Sequence, residues 1–247
     1  MPDWFWYIAG PVLLVAVLGY LWYTDRQRSE TVKRKAAELD WSYHASDRRY
    51  SGRFPGDPFE SAWWRRARHV LHGTRGNRPF TAFELVLVRR EYRPRRGVRG
   101  LRRLSSDSDR DYRRRLTLRR YQVVLVELPV AVPDLDIARR GFLGRTIRSR
   151  FGLSSKDVDL TGQQIGTEEF DAEFEIATAD PEFARRMFTP DACSWLLRSS
   201  LSRESPVRIH GNEMVTWREG RINPTDAKKR ARYLHELADH VPTGVAS

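Results

Sequence analysis

The chain has 247 residues, and 44 lysines and arginines against 32 acidic residues give it a formal net charge of +12 at pH 7. Its single cysteine, Cys193, excludes a domain held together by intrachain disulfides. The length is sufficient for one domain with a sizeable core, and the excess of positive charge makes polyanions the first partners to consider.

The stretch Trp4 to Tyr23 contains no charged side chain, and tryptophan and tyrosine residues stand at both of its ends. A helix of this length is roughly 30 Å long, which matches the hydrocarbon thickness of a bilayer, and amphipathic rings favour the headgroup levels. The pattern predicts a transmembrane helix within an anchor of residues 1–25. A cleaved signal peptide and a buried core helix are the alternatives, but the stretch lacks a positive leading region and is apolar all round.

Charge asymmetry around this stretch predicts its orientation. No Lys or Arg precedes it, and a basic segment follows at once with Arg26, Arg28, Lys33, Arg34 and Lys35. Because cytoplasmic flanks carry the excess of positive charge, we expect a single-pass cell-membrane protein with its N-terminus outside and its C-terminal domain in the cytoplasm. Residues 26–40 are predicted to form a basic juxtamembrane helix, followed by a domain of residues 41–242 and a tail at 243–247.

The first part of this domain combines irregular structure with two strands. Residues from Trp41 to Trp64 are rich in aromatics and turn formers, and we interpret the aromatics as packing on the core. A turn at residues 75–78 precedes a strand from Phe80 to Val88, and a second strand from Tyr121 to Leu128 is almost continuously apolar. These two strands are expected at the centre of a sheet.

The second part of the domain contains most of the helix signals. Gly141 to Leu153 has the pattern of a basic amphipathic helix, and Phe170 to Ile176 alternates apolar with acidic residues as a strand does. Gly211 and Asn212 predict the turn of a hairpin. Three helix N-caps are each followed by a proline, namely Asp180, Thr189 and Asn223. Since several strands come first and the helices late, the predicted fold class is α+β with an antiparallel sheet.

Four stretches after the predicted anchor carry a family resemblance: HVLHGTRGNRPFTAFELVL, YQVVLVELPVAVPDLDI, FDAEFEIATADPEFARRMFTP and VTWREGRINP. Their order resembles a group of single-pass, membrane-anchored proteins of actinobacteria that have no assigned function. The resemblance covers most of the chain. It implies an architecture of one anchor and one domain, and it carries no activity, substrate or site residue over to this sequence.

Most of the net charge lies in one segment, from Arg89 to Arg120, where fourteen arginines against four acidic side chains give a net charge of +10. Like charges and turn formers favour a solvated, mobile loop over residues 89–120. As a site, the loop would bind anions. The candidate anion-binding residues are Arg95, Arg96, Arg102, Arg103, Arg113, Arg114 and Arg115. Anionic lipid headgroups are the preferred partner, with RNA or DNA and acidic proteins as alternatives.

Candidate catalytic and metal-binding residues are sparse. His69 and His72 stand three apart, but no Cys or carboxylate cluster accompanies them, so neither a metal nor another cofactor is predicted. Cys193 falls on the apolar face of a predicted helix, where thiols are usually inert. We therefore predict a binding or regulatory module of unassigned process, with an enzyme of unknown class as the alternative. Convergence of the following residues in one pocket would favour the enzyme: His69, His72, Asp134, Asp136 and Glu168.

Overall fold

The computed structural model describes residues 4–56, 59, 62–94, 112–140, 158–159, 164–178 and 180–242. The strands are β1 (Ser42–Ser46), β2 (Trp64–Arg75), β3 (Arg78–Pro94), β4 (Tyr112–Arg139), β5 (Val158–Asp159), β6 (Phe174–Thr178) and β7 (Val207–Glu219). The helices are α1 (Trp4–Ala37), α2 (Glu168–Glu173), α3 (Pro181–Met187), α4 (Pro190–Arg198), α5 (Ser200–Glu204) and α6 (Pro224–Ala238). The predicted helix Gly141 to Leu153 and the tail lie outside the described residues.

Helix α1 crosses the predicted boundary between anchor and juxtamembrane helix without a break. Its C-terminal half belongs to the domain, because Val32 and Ala36 are buried in the core and Asp25 forms an ion pair with Arg68. Among the residues that the structure describes, no helix is sufficiently long and apolar to cross a membrane. This finding overturns the predicted transmembrane helix, and with it the single-pass topology and the cell-membrane localisation.

Strand β4 is the centre of the sheet because it pairs with three other strands along its length. Residues 112–126 pair with β3, residues 121–137 with β7 and residues 135–139 with β6, all in antiparallel register. The order across the sheet is β1-β2-β3-β4-β6-β5, with β7 also on β4. The described sheet is therefore antiparallel in every pairing.

Both faces of the sheet are covered by other parts of the chain. On one side, here called the helix face, the helices bury a core that includes Val32, Phe80, Ala82, Val124, Val126, Phe183, Leu196, Met214 and Leu234. On the other side, here called the second face, a 3₁₀ turn and the loop after it cover a smaller core that includes Tyr50, Phe54, Phe59, Phe83, Leu85, Val123, Leu125 and Val215. Alternation of side chains along each strand sends neighbouring residues to opposite cores.

The predicted strand Phe170 to Ile176 begins as a helix, α2, and becomes strand β6 only at Phe174. Thr167 caps α2 by accepting a hydrogen bond from the backbone N–H of Phe170, and acidic side chains in the first turn favour a helix N-terminus. A helix of six residues is too short to show its period in the sequence.

The predicted hairpin at Gly211 and Asn212 is wrong, because β7 passes through both residues as one strand. Gly211 lies opposite Val132, where the register between β4 and β7 shifts, and its φ of 60° suits a bulge as well as a turn. The turn at residues 75–78 is confirmed. The predicted N-caps are also confirmed at Asp180, Thr189 and Asn223.

Glu84 of β3 is fully buried and holds α1 on the helix face. Its carboxylate accepts hydrogen bonds from Arg28 of α1 at 2.7 Å, from Arg120 of β4 at 2.7 Å and from the backbone N–H of Ile222 at 3.0 Å. Burial opposes ionisation, but the Ile222 N–H and the two guanidinium groups outweigh it and hold the pKa of Glu84 below its usual value. One carboxylate therefore joins α1, two central strands and the segment before α6.

Replacing Glu84 with Gln should lower the free energy of unfolding by about 2–4 kcal/mol, because two guanidinium groups lose their counter-ion. Urea unfolding measures this, and the exposed control Glu30→Gln should change it by less than about 0.5 kcal/mol. Because folding lowers the pKa of Glu84, its contribution is complete above the unfolded value near 4.5 and is lost as the pH falls through the folded value. The Glu84→Gln variant should therefore lose less stability on acidification. If Glu84→Gln and Glu30→Gln lost the same stability on acidification, the role given to Glu84 would be contradicted.

Candidate functional site

The structure places three of the seven predicted anion-binding arginines in a strand. Arg113, Arg114 and Arg115 lie in β4, where Arg115 is paired with Glu91 of β3. Because β3 extends to Pro94 and β4 begins at Tyr112, both ends of the predicted loop 89–120 are strands of one long hairpin. The other four arginines lie outside the described residues: Arg95, Arg96, Arg102 and Arg103.

Large apolar side chains are exposed where the start of β2 meets this hairpin. Trp64, Val88 and Leu118 are in register across three strands. The exposed fractions are 65% for Trp63, 44% for Trp64, 60% for Leu116 and 55% for Leu118. We call Trp63, Trp64, Leu116 and Leu118 the hairpin surface. Clustered exposed apolar side chains mark interaction sites more often than isolated ones do.

A polar pocket of about 470 Å³ lies beside Trp64, where β1 has ended and no longer pairs with β2. Its lining combines hydroxyl, guanidinium and backbone groups, from Ser46, Asp47, Arg48, Ser51, Trp64, Arg65, Arg66 and Ala67. Guanidinium groups bind carboxylate and phosphate oxygens through charge-assisted hydrogen bonds, and the edge of a strand presents backbone N–H groups. We call this the basic pocket.

The basic pocket has a positive net charge because three arginines and only one carboxylate, Asp47, line it. Arg49 binds Asp47 at 2.7 Å, and this hydrogen-bonded contact holds the pKa of Asp47 below its usual value. Arg65 donates to the carbonyl of Phe59 at 2.9 Å, which is a neutral acceptor, so the guanidinium charge is positioned and not cancelled. This arrangement can hold an anion by charge and hydrogen bonds, without forming a covalent bond to it.

The sequence contained a signal for this site in residues 63–66, where two tryptophans precede two arginines. The interpretation of the aromatics between Trp41 and Trp64 as core packing is right for Tyr50 and Phe54, which are buried. It is wrong for Trp63 and Trp64, which are exposed. Whether a tryptophan is buried depends on what covers the end of its strand, and the sequence alone does not show that.

The five residues whose convergence would favour an enzyme lie in separate places. His69 is buried near α1, whereas His72 lines a cleft on the second face. Asp134 and Asp136 are paired with basic side chains of β7, and Glu168 lies in the first turn of α2. Within the described residues, no three His, Cys, Asp or Glu side chains are grouped as metal ligands would be.

Comparison with known proteins gives a fold relationship. No protein-family model and no curated protein matches this sequence. Among solved structures, the crystal structure of the mycobacterial trehalose monomycolate transport factor A, TtfA, is similar with a TM-score of 0.55 over 87% of this chain and 96% of that chain. The two sequences are 12% identical, so the similarity concerns the fold alone. The resemblance to actinobacterial proteins is therefore supported at the level of the fold, which a mycobacterial protein shares.

Cys193 of α4 is fully buried, and its Sγ atom lies 3.5 Å from the carbonyl oxygen of Phe188. A Cβ atom on Gly166 would come within 2.5 Å of the sulfur, which shows how closely the thiol is enclosed. Burial raises the pKa of Cys193 and so lowers its thiolate fraction at neutral pH. Such a thiol is a packing group and a poor nucleophile.

We expect a maleimide reagent to label Cys193 slowly in the native protein and rapidly in urea, because the thiol must first be exposed by unfolding. A cysteine introduced by Ser200→Cys at an exposed position should react rapidly in the same sample and so prove that the reagent is active. Mass spectrometry of the labelled peptides separates the two sites. Fast native labelling of Cys193 would contradict its assignment as a buried packing group.

Proposed function

We propose that this protein is a non-enzymatic binding module that holds anionic, phosphate-bearing lipid headgroups in its basic pocket. The hairpin surface would lie against the apolar boundary below those headgroups. The observation that carries the proposal is the position of the pocket, whose arginines adjoin the exposed rings of Trp63 and Trp64. Cationic groups beside exposed tryptophan and leucine are typical of surfaces that bind a lipid interface.

The two parts of the site supply different kinds of binding energy. Each arginine near an anionic lipid surface contributes about 1 kcal/mol, and this attraction weakens as salt is added. Burial of one large apolar side chain contributes roughly 1.5–3 kcal/mol when it is complete, and salt does not screen it. The pocket therefore selects the headgroup charge, and the hairpin surface retains contact at physiological salt. Arg113, Arg114 and Arg115 lie on the same hairpin and would add to the attraction.

Lipid headgroups fit this surface better than nucleic acid does. Single-stranded nucleic acid is held by stacking its bases on aromatic rings. Leu116 and Leu118 form half of the hairpin surface and offer no ring to stack on. Aliphatic side chains gain by entering an apolar layer, so a lipid surface accounts for the leucines as well as for the tryptophans.

The similarity to TtfA supports a narrower form of this proposal. That protein is named as a transport factor for trehalose monomycolate, and its fold is shared here at 12% sequence identity. We propose that this chain has a role of the same class, as an accessory factor that binds lipid-linked molecules during their transport. We also propose that its domain is related to those of the actinobacterial group that its sequence resembles, without the predicted membrane anchor.

Replacing Arg48 and Arg66 with Gln in the full-length chain should weaken binding to phosphatidylcholine vesicles that contain phosphatidylglycerol by about tenfold to thirtyfold, since two contributions of about 1 kcal/mol are lost. Cosedimentation measures the affinity. Vesicles of phosphatidylcholine alone give the baseline for binding that does not depend on the headgroup. The control Arg186→Gln with Arg198→Gln removes the same charge from exposed helical positions and should keep the wild-type affinity.

Two results would contradict the proposal. Equal losses in the two double variants would mean that net charge alone attracts the vesicles and that the basic pocket is not a site. Displacement of the vesicles by single-stranded DNA at matched phosphate concentration would show that nucleic acid is the preferred ligand.

A further inference from the structure

The second face of the sheet carries a cleft of about 440 Å³ near the turn between β2 and β3. A row of side chains in register across four neighbouring strands lines it: Ser42, His72, Thr81 and Leu125. Tyr50 forms part of the wall, and its ring packs against that of Phe83 with 5.1 Å between the ring centroids. We call this the sheet cleft. Its volume lies within the range of small-molecule sites, roughly 300–1,000 Å³.

The strands below the sheet cleft are rigidly packed. A Cβ atom on Gly73 would come within 2.7 Å of the rings of Phe80 and Trp41, so only glycine allows these rings to approach the strand. The two rings pack edge to face with their centroids 4.9 Å apart. The cleft is therefore formed before any ligand arrives, which lowers the entropic cost of binding.

Asp40, at the rim of the cleft, adopts a conformation that usually belongs to glycine. It lies in the turn that follows α1, three residues after Ala37, with a φ of 56°, and the N–H of Trp41 donates to the carbonyl of Ala36 at 2.9 Å. Glycine is the usual residue at this position of a helix cap because it has no Cβ atom to strain. Aspartate here costs stability that glycine would not, and strained residues of this kind concentrate at functional sites.

The polar groups of the sheet cleft can both donate and accept hydrogen bonds. Ser42, Thr74 and Thr81 bring three hydroxyl groups. His72 has its Nδ1 atom 3.0 Å from the Thr81 hydroxyl. Burial lowers the pKa of His72, so its ring is neutral at pH 7 and has one donor and one acceptor nitrogen. Neutral groups of this kind match hydroxyl groups on a ligand.

The charge of the sheet cleft is opposite to that of the rest of the protein. Asp40 and Glu127 are its ionisable carboxylates, and no Lys or Arg is among its described lining residues. Within the described part of the chain, neither carboxylate accepts a side-chain hydrogen bond, so both can accept from a ligand. Anions are repelled here. From the row of hydroxyl groups, the apolar lining residues Phe80 and Leu125 and the two carboxylates, we propose that the sheet cleft binds a neutral, polyhydroxylated ligand of the class of a mono- or disaccharide.

This site is separate from the basic pocket and does not depend on the function proposed for it. The sheet cleft and the basic pocket share no lining residue, and Leu118 lies on the helix-face side of the sheet whereas the cleft lies on the second face. A saccharide headgroup and an anionic lipid surface could be bound at the same time.

Ligand-observed NMR on the full-length chain tests the proposal with maltose and trehalose as neutral probes, glucose 6-phosphate as an anion and choline as a cation. Both neutral sugars should show saturation transfer in the millimolar range. Glu127→Gln should weaken their binding by about tenfold, because a charged acceptor becomes a neutral one. The exposed control Glu30→Gln should leave the affinity unchanged.

Asp40→Gly separates the ligand role of this residue from a structural one. The variant should unfold at a higher urea concentration, because strain in the cap is relieved, and yet bind maltose about tenfold more weakly. Sugar binding that is undetectable in the wild type, or unchanged in Glu127→Gln and Asp40→Gly, would overturn the proposal. Tighter binding of glucose 6-phosphate or choline than of the sugars would also overturn it.

Discussion

The carboxylate of Glu84 has no access to solvent and depends on donors from three distant parts of the chain. An ionised carboxylate in a protein interior costs several kcal/mol unless its lone pairs are satisfied. Arg28 of α1, Arg120 of β4 and the N–H of Ile222 must therefore be in place together. This requirement makes α1 part of the domain, although its N-terminal half exposes apolar side chains that include Val12, Leu13 and Tyr20.

Gln122 of β4 links the sheet to α6 through a further set of hydrogen bonds. Gln122 lies opposite Glu84 in the sheet and accepts from the N–H of Asn223 at 2.8 Å, while its amide donates to Asp226. On β2, Arg68 is held by Asp25 of α1 next to a bulge at which the register with β3 shifts. These contacts fix the start of β2, and the start of β2 forms one wall of the basic pocket.

Local chemistry made parts of this fold predictable, and long-range contacts made other parts unpredictable. Asn223 followed by a proline identifies the start of α6 because the cap involves neighbouring residues only. Strand β2 was missed because the bulge at His69 places Arg68 and Leu71 on the same face and so breaks the alternation. The transmembrane prediction treated Trp4 to Tyr23 in isolation. The charged helical turns of α1 that follow this stretch pack against the sheet. The basic pocket depends on the pairing of β1 with β2, which composition does not show.

We propose that the basic pocket and the hairpin surface act together as one surface that recognises anionic headgroups. Hydrogen exchange of the full-length chain, compared between vesicles with and without phosphatidylglycerol, tests this most directly because it locates the contact along the sequence. The account predicts protection that depends on phosphatidylglycerol in residues 62–68 and 112–119. Protection confined to other elements, such as α6, or equal protection with both kinds of vesicle, would contradict it.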